Sequence, residues 1–280
     1  MPPDARITEF RHLASYNWIE SPTPTIAVPG SPAKCSPPNG PIQVKKGTGY
    51  FYAAQNVDLR SVDVVTDRNN IRNLLSFVDQ DTSRDGVEEF VIKVELIGET
   101  ALFSREGEEY RFGGLKFLVR NEVDGYVSPV AMEGVAVPSE QCREVNTRVA
   151  HKTLQMEGIM PQFWASQTTK IVRAYHTSGL FQPPVVEDVT KSMKRWEQYN
   201  EGTLKKLAAV IAKILDVAKR SDGPVQVKCS AAWHQLVLSK TDSRKMLPDD
   251  LYSKWNPITE TEDSAPVKTP GMAMVPSRSS

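Results

Sequence analysis

Residues 112–126 read FGGLKFLVRNEVDGY and residues 141–148 read QCREVNTR, with a short loop containing Pro and Gly between them. Each stretch carries an acid-headed triplet, Glu122-Val123-Asp124 in the first and Glu144-Val145-Asn146 in the second. Both triplets lie at the ends of apolar or alternating runs, which predicts strand. Residues i and i+2 of a strand face the same way. Glu122 therefore projects with Asp124, and Glu144 with Asn146. If the two strands are neighbours in a central sheet, three carboxylates converge on one patch. Carboxylates so placed repel one another, and a hard divalent cation relieves the repulsion. Magnesium and manganese take oxygen ligands in octahedral geometry. A metal held there polarises a phosphoryl group and activates a water. The competing reading is a solvated acidic face, which acid-X-acid on a strand commonly is.

The 280 residues suit one large domain or two small ones with a sizeable core. The 34 basic and 34 acidic side chains balance, so no global basic field drives binding to nucleic acid or an anionic membrane. A local basic channel stays compatible with that balance. The three cysteines, Cys35, Cys142 and Cys229, form no CxxC pair and no zinc spacing. Free thiols fit a reducing compartment. Asp4, Arg6, Glu9 and Arg11 interrupt any signal-peptide core, and no apolar run reaches the ~20 residues that span a bilayer. These features predict an intracellular chain, cytosolic or nuclear, with no membrane partner.

Residues 1–48 read as an anchor followed by a proline-dense strap, 49–240 as the folded domain, and 241–280 as a disordered tail rich in Pro, Ser and Thr. Residues 9–20 predict a short irregular or helical anchor. Val62 to Val65 predicts a strand. Asp67 to Val78 places Ile71, Leu74, Leu75 and Val78 on one helical stripe behind a cap at Thr66 or Asp67. Phe90 to Ile97 and Thr100 to Arg105 predict a hairpin turning at Gly98-Glu99. Pro161 is placed at the first position of a helix carrying Phe163, Trp164 and Gln167. Lys170 to His176 predicts a strand. Glu187 to Arg220 reads as the longest helical stretch, interrupted near Gly202, with an amphipathic second half from Leu204 to Ala218. Val225 to Ser230 and Gln235 to Ser239 predict a closing hairpin. The sum is an α+β fold with a mixed central sheet flanked by helices.

Val62-Asp63-Val64-Val65-Thr66-Asp67-Arg68, with the helix behind it, resembles a block of the eukaryotic decapping exoribonucleases, enzymes whose metal-bearing core is similar to that of the PD-(D/E)XK nucleases. The resemblance runs from about Asp63 to Lys240. It matches Arg68 to a functional arginine that holds phosphate, an RNA-binding role. Glu122-Val123-Asp124 resembles the family's Glu-apolar-Asp metal motif. Glu144-Val145-Asn146-Thr147 resembles its Glu-apolar-Lys motif in the Glu and the Thr. Phe163-Trp164-Ala165-Ser166-Gln167 resembles the helix whose glutamine lies near the site, one position off. The hairpin residues Val172 to His176 and Gly179 to Phe181 follow in order. Two positions depart. Asn146 stands where the family has lysine, and an amide carries no charge to place beside a phosphate. Leu118 stands in the acidic place of a further metal-site motif, or that segment is deleted outright.

The resemblance implies a metal-dependent RNA 5′-end phosphodiesterase with reduced or lost activity. Glu122, Asp124 and Glu144 would hold Mg or Mn, and Asn146 and Gln167 would orient water or substrate. The alternative is a non-catalytic RNA- or protein-binding pseudoenzyme of the same fold. Arg68 is equally suited to pairing with a nearby acid. The beginning of the chain, SYNW, PTPT and VPG in turn, also resembles fungal chains that carry a geranylgeranyl pyrophosphate synthetase label. Prenyl synthases of that kind resemble all-helical bundles with two DDxxD motifs. Here the only Asp-Asp is Asp249-Asp250, so that reading is supported by the label alone. His12, His151, His176 and His234 show no ligand spacing.

Overall fold

Asp67 ends a strand and starts a helix. Its backbone is extended, and its Oδ1 accepts from Asn70 N at 2.7 Å, which satisfies one of the orphan donors of the first turn. This strand-to-helix corner carries Arg68. The computed structural model that shows it describes residues 5–11, 17–19, 25–27, 58–79, 89–103, 108–121, 124–126, 139–178, 180–230, 235–241, 245–247 and 249–256.

In chain order the strands are β1 (Thr8–Arg11), β2 (Asn17–Ile19), β3 (Thr25–Ala27), β4 (Val64–Asp67), β5 (Phe90–Ile97), β6 (Thr100–Phe103), β7 (Glu108–Phe112) and β8 (Leu115–Arg120). They continue as β9 (Gly125–Tyr126), β10 (Cys142–Val149), β11 (Lys170–Thr177), β12 (Leu180–Phe181), β13 (Val185–Asp188), β14 (Val225–Ser230) and β15 (Gln235–Lys240). The α-helices are α1 (Arg68–Val78), α2 (Met156–Ser166), α3 (Thr190–Tyr199), α4 (Glu201–Arg220) and the short α5 (Asp249–Tyr252). An eight-stranded sheet runs β1-β7-β8-β4-β6-β5-β14-β15, and β4 is parallel to both of its neighbours while the other pairs are antiparallel. A second sheet runs β12-β11-β10-β9, with β13 also paired to β11 and with β10 parallel to β11. The fold is α+β with a mixed sheet flanked by helices.

Alternation divides the side chains of the large sheet between two cores. Val64, Phe117 and Val119 face α1, α2 and α4 in the main core, while Val65, Leu118 and Leu102 face the other way. Trp164 ties α2 to this arrangement. Its ring meets Phe112 edge-on at 5.3 Å, and its indole N–H donates to Glu197 Oε1 at 2.9 Å.

Several predicted elements are corrected. The strand expected at Val62 begins at Val64, because Leu59–Ser61 forms a 3-10 turn that Val62 closes. The N-terminal anchor contains extended pieces, β1 and β2. Pro161 lies inside α2 rather than at its start, and five residues precede it in the helix. The long helical stretch begins later than Glu187, because 185–188 pair with β11, and it breaks at Asn200 rather than at Gly202. The tail expected from 241 is ordered through 245–247 and 249–256: Leu247, Leu251 and Trp255 are buried against Leu59, Val62, Val65 and Leu118. Most of the proline-dense strap, at 20–24 and 28–48, and residues 257–280 lie outside the described residues.

Gly113-Gly114 closes the β7–β8 hairpin with φ of 60° and 84°, a left-handed pair suited to a two-residue turn. A Cβ at Gly113 would come within 2.7 Å of the Ala208 Cβ on α4. Gly113→Ala therefore combines positive φ with a clash against a packed helix, and a loss of roughly 1–3 kcal/mol is expected in urea unfolding. An unchanged midpoint would show that α4 can retreat without cost.

Candidate functional site

The site lies where the β4–α1 corner meets β10 and α2. Glu144 is buried on β10, 3 % exposed. Its Oε1 is ion-paired with Arg68 Nη1 from the first turn of α1. Its Oε2 accepts from Gln162 Nε2 of α2 at 2.5 Å. Burial pushes the Glu144 carboxyl above the ordinary glutamate range, with Arg68 pulling it down and the charge of Asp124 adding a further push upward. Both carboxylate oxygens are thus engaged by protein donors.

Asp124 is exposed and sits in a bend just before β9, not within a strand. β9 pairs antiparallel with the start of β10, Gly125 opposite Arg143, which carries Asp124 to the level of Glu144. The Asp124 Oδ2 accepts from Val145 N at 2.8 Å. Asp124 and Glu144 therefore meet through the small sheet, whereas β8, expected to carry the first triplet beside the second, belongs to the large one. Glu122 lies outside the described residues. Asn146 is half-buried and shares the face of Glu144 by the i, i+2 phase. Among the described residues no three His, Cys, Asp or Glu side chains gather as a metal-ligating group.

Two expectations are corrected. Gln167 does not point at Glu144. It closes α2 in a left-handed conformation, φ 51°, and its Nε2 donates to the Trp164 carbonyl at 2.5 Å. Gln162, one turn earlier, is the glutamine at the carboxylate. Because α2 starts at Met156 and ends at Ser166, Gln167 is its cap and not a residue on a helical face. A signal for Gln162 lay in its place beside Phe163-Trp164, at the polar edge of a buried helical face. Leu118 is not a vacant ligand position on the Glu144 side. It is fully buried in the second core, among Val65, Leu102 and Trp255, on the face of the large sheet turned away from α1 and α2.

Fold and site together define an α+β protein with a carboxylate–arginine cluster at the junction of two sheets, roofed by a helix that supplies glutamine. Comparison with solved structures places the fold beside the Rai1 proteins. Scheffersomyces stipitis Rai1, solved with (3′-NADP)+ and calcium ion, aligns with a TM-score of 0.57 at 11 % identity, over 74 % of this chain and 77 % of that one. Candida albicans Rai1 in complex with pU5-Mn2+ aligns at 0.54 and 11 %, over 70 % and 75 %. S. pombe Rai1 in complex with 3′-FADP aligns at 0.54 and 10 %, over 81 % and 93 %. At these identities the likeness shows the fold alone, which is that of the Rai1 proteins. A family model described as a domain of unknown function (DUF8563) matches residues 128–254. A comparison with curated proteins gives no match.

Proposed function

We propose that this chain is a degenerate decapping-exoribonuclease-like protein that binds RNA 5′ ends, with metal-dependent phosphodiester hydrolysis reduced or lost. One observation carries the reading. The buried glutamate of the site is neutralised by Arg68 and hydrogen-bonded by Gln162, and its strand carries Asn146 where a cation would serve phosphate chemistry. The fold of the Rai1 proteins, one of them solved with pU5-Mn2+, supports RNA as the ligand class.

The oxygen donors of Asp124 and Glu144, with Glu122, are of the type that Mg or Mn accepts, so the donor chemistry fits such an ion. When bound, the ion would polarise a phosphoryl oxygen and favour hydroxide. Each Glu144 oxygen carries one donor and keeps a further lone pair, and release by Arg68 would open Oε1 further to an ion. The freed guanidinium would then be available to hold a phosphate in its planar fork. Gln162 fixes the rotamer of Glu144, and the Asn146 amide orients a substrate oxygen or water without supplying charge. The non-catalytic form of this reading, a pseudoenzyme binding RNA or a protein, differs only in Arg68 staying on Glu144. The prenyl synthase reading gains nothing, because Asp249 and Asp250 open a four-residue helix and Asp249 is held by Lys245. No described helix is long and apolar enough to cross a membrane.

The test is manganese binding by calorimetry beside cleavage assays on capped and 5′-phosphorylated RNA. Wild type is expected to bind manganese weakly and cleave slowly or not at all. Asn146→Lys places an ammonium two residues from Glu144 on the same face. It is expected to raise metal-dependent cleavage about a hundredfold, on the order of 3 kcal/mol of transition-state stabilisation. Asp124→Asn in that background should remove the gain. A Lys variant that binds manganese and cleaves no faster than wild type would reject the inherited site.

A further inference from the structure

The cation missing from β10 has a counterpart on the next strand. β10 and β11 are parallel, and their register sets Asn146 opposite Arg173. Residues in register point to the same face of a sheet. Arg173 therefore projects from the face that carries Glu144 and Asn146, beneath the start of α2, whose Gln162 holds Glu144. Its Nη2 lies 3.2 Å from the Met156 Sδ in the first turn of that helix. The same Nη2 is 2.8 Å from the Glu187 Oε2 on β13.

We propose that Arg173 is the phosphate-binding cation of this site, displaced one strand from the position where Asn146 stands, and that Arg173 and the Asn146 amide together receive the 5′-phosphate of a single-stranded RNA. This rests on the reading of the site as an RNA 5′-end site.

Three observations favour this over a purely structural ion pair. The Arg173 side chain is only 19 % exposed, and its Nε is buried without a hydrogen-bond partner. A buried donor left unmade is costly, and an anion's oxygen would satisfy it. Glu187, its counter-charge, is the more exposed partner at 43 % and stands on a strand that, among the described residues, pairs with β11 alone. It is thus well placed to hold the guanidinium in orientation and to yield to a doubly charged phosphate. Finally, the guanidinium has five donors in a planar fork, and the contacts described use Nη2 alone. Arg173 can therefore keep Glu187 on Nη2 and still present Nη1 to an anion. The acid that Arg68 holds is itself buried, Glu144 being 3 % exposed, whereas the acid on Arg173 is the more open Glu187. Phosphate recognition would then need no metal.

The experiment measures binding of 5′-phosphorylated and 5′-hydroxyl pentauridylate to the full chain by fluorescence anisotropy, in EDTA. Wild type is expected to prefer the phosphorylated oligonucleotide by about tenfold or more, as a charge-assisted hydrogen bond would give. Arg173→Gln should abolish the preference while leaving weak binding to both oligonucleotides, and Arg173→Lys should keep part of it. Glu187→Gln removes the competing acid and should strengthen the preference, a result that a structural role for Arg173 does not produce and that decides the matter even if Arg173→Gln fails to fold. Equal binding of the two oligonucleotides by wild type overturns the inference. A preference that survives Arg173→Gln, or that Glu187→Gln leaves unchanged, overturns the inference and leaves the RNA-binding reading standing. Absence of binding to either oligonucleotide overturns both.

Discussion

Arg68→Ala is expected to destabilise the protein by about 3–5 kcal/mol, the cost of stranding one member of a buried ion pair. Glu144 would keep only Gln162, while its surroundings stay closed: its side chain is 4 % exposed and that of Arg68 13 %. The loss should appear as a lowered urea midpoint with an unchanged slope. Arg68→Ala combined with Glu144→Gln should recover most of it, because the buried charge is then gone. The pH dependence follows from the direction of the Glu144 shift. Burial holds this carboxyl above the ordinary glutamate range, so the folded state binds its proton more tightly than the unfolded state does. Such a group favours folding below the unfolded value and loses that contribution as pH rises through the folded one. Removing Arg68 takes away the main influence opposing the rise, so the window widens upward. The deficit of Arg68→Ala should therefore be largest at neutral pH and shrink on acidification towards the ordinary glutamate range. A variant within about 1 kcal/mol of wild type at neutral pH would mean that the pair is worth no more than a surface ion pair, and Arg68 would then be available to ligands at little cost.

Truncation after Thr241 is expected to cost still more. Trp255 donates its indole N–H to the Thr100 hydroxyl at 2.8 Å, and that hydroxyl lies 2.8 Å from the Val62 carbonyl. Glu95, buried on β5, accepts from Met246 N at 2.8 Å and from the Tyr252 hydroxyl at 2.7 Å. Removing the segment leaves Glu95 without these two donors and exposes Val65, Leu102 and Leu118. Trp255→Ala alone should cost about 3–5 kcal/mol, and the truncation should exceed it, because it combines lost apolar burial with a buried carboxylate stripped of its partners. A chain ending at Asn256 should keep the wild-type melting temperature. If the chain ending at Thr241 melted with wild type, the 245–256 segment would be a passive cover.

The local elements were legible because their causes are local. The Ile71, Leu74, Leu75 and Val78 stripe, the Asp67 cap and the Gly98-Glu99 turn all follow from spacing and side-chain chemistry within one element. The ordered blocks from Asp63 to Lys240 carried the fold class. The 245–256 segment was legible in part: Leu247, Leu251 and Trp255 recur every four residues, a helical spacing hidden by Pro- and Ser-containing composition. What the tertiary structure alone decided is the company of Glu144. Its partner Arg68 is 76 residues away, and Gln162 is 18 away on a helix that ends at Ser166. The alternation along β8 placed Leu118 on one face or the other only once the strand had neighbours. Asn146 marks a missing cation in the sequence, but a parallel pairing between strands separated by a helix sets its register with Arg173. A strand's own residues determine which side chains share a face. They do not determine which other strand lies beside it, because that depends on what the intervening helix buries.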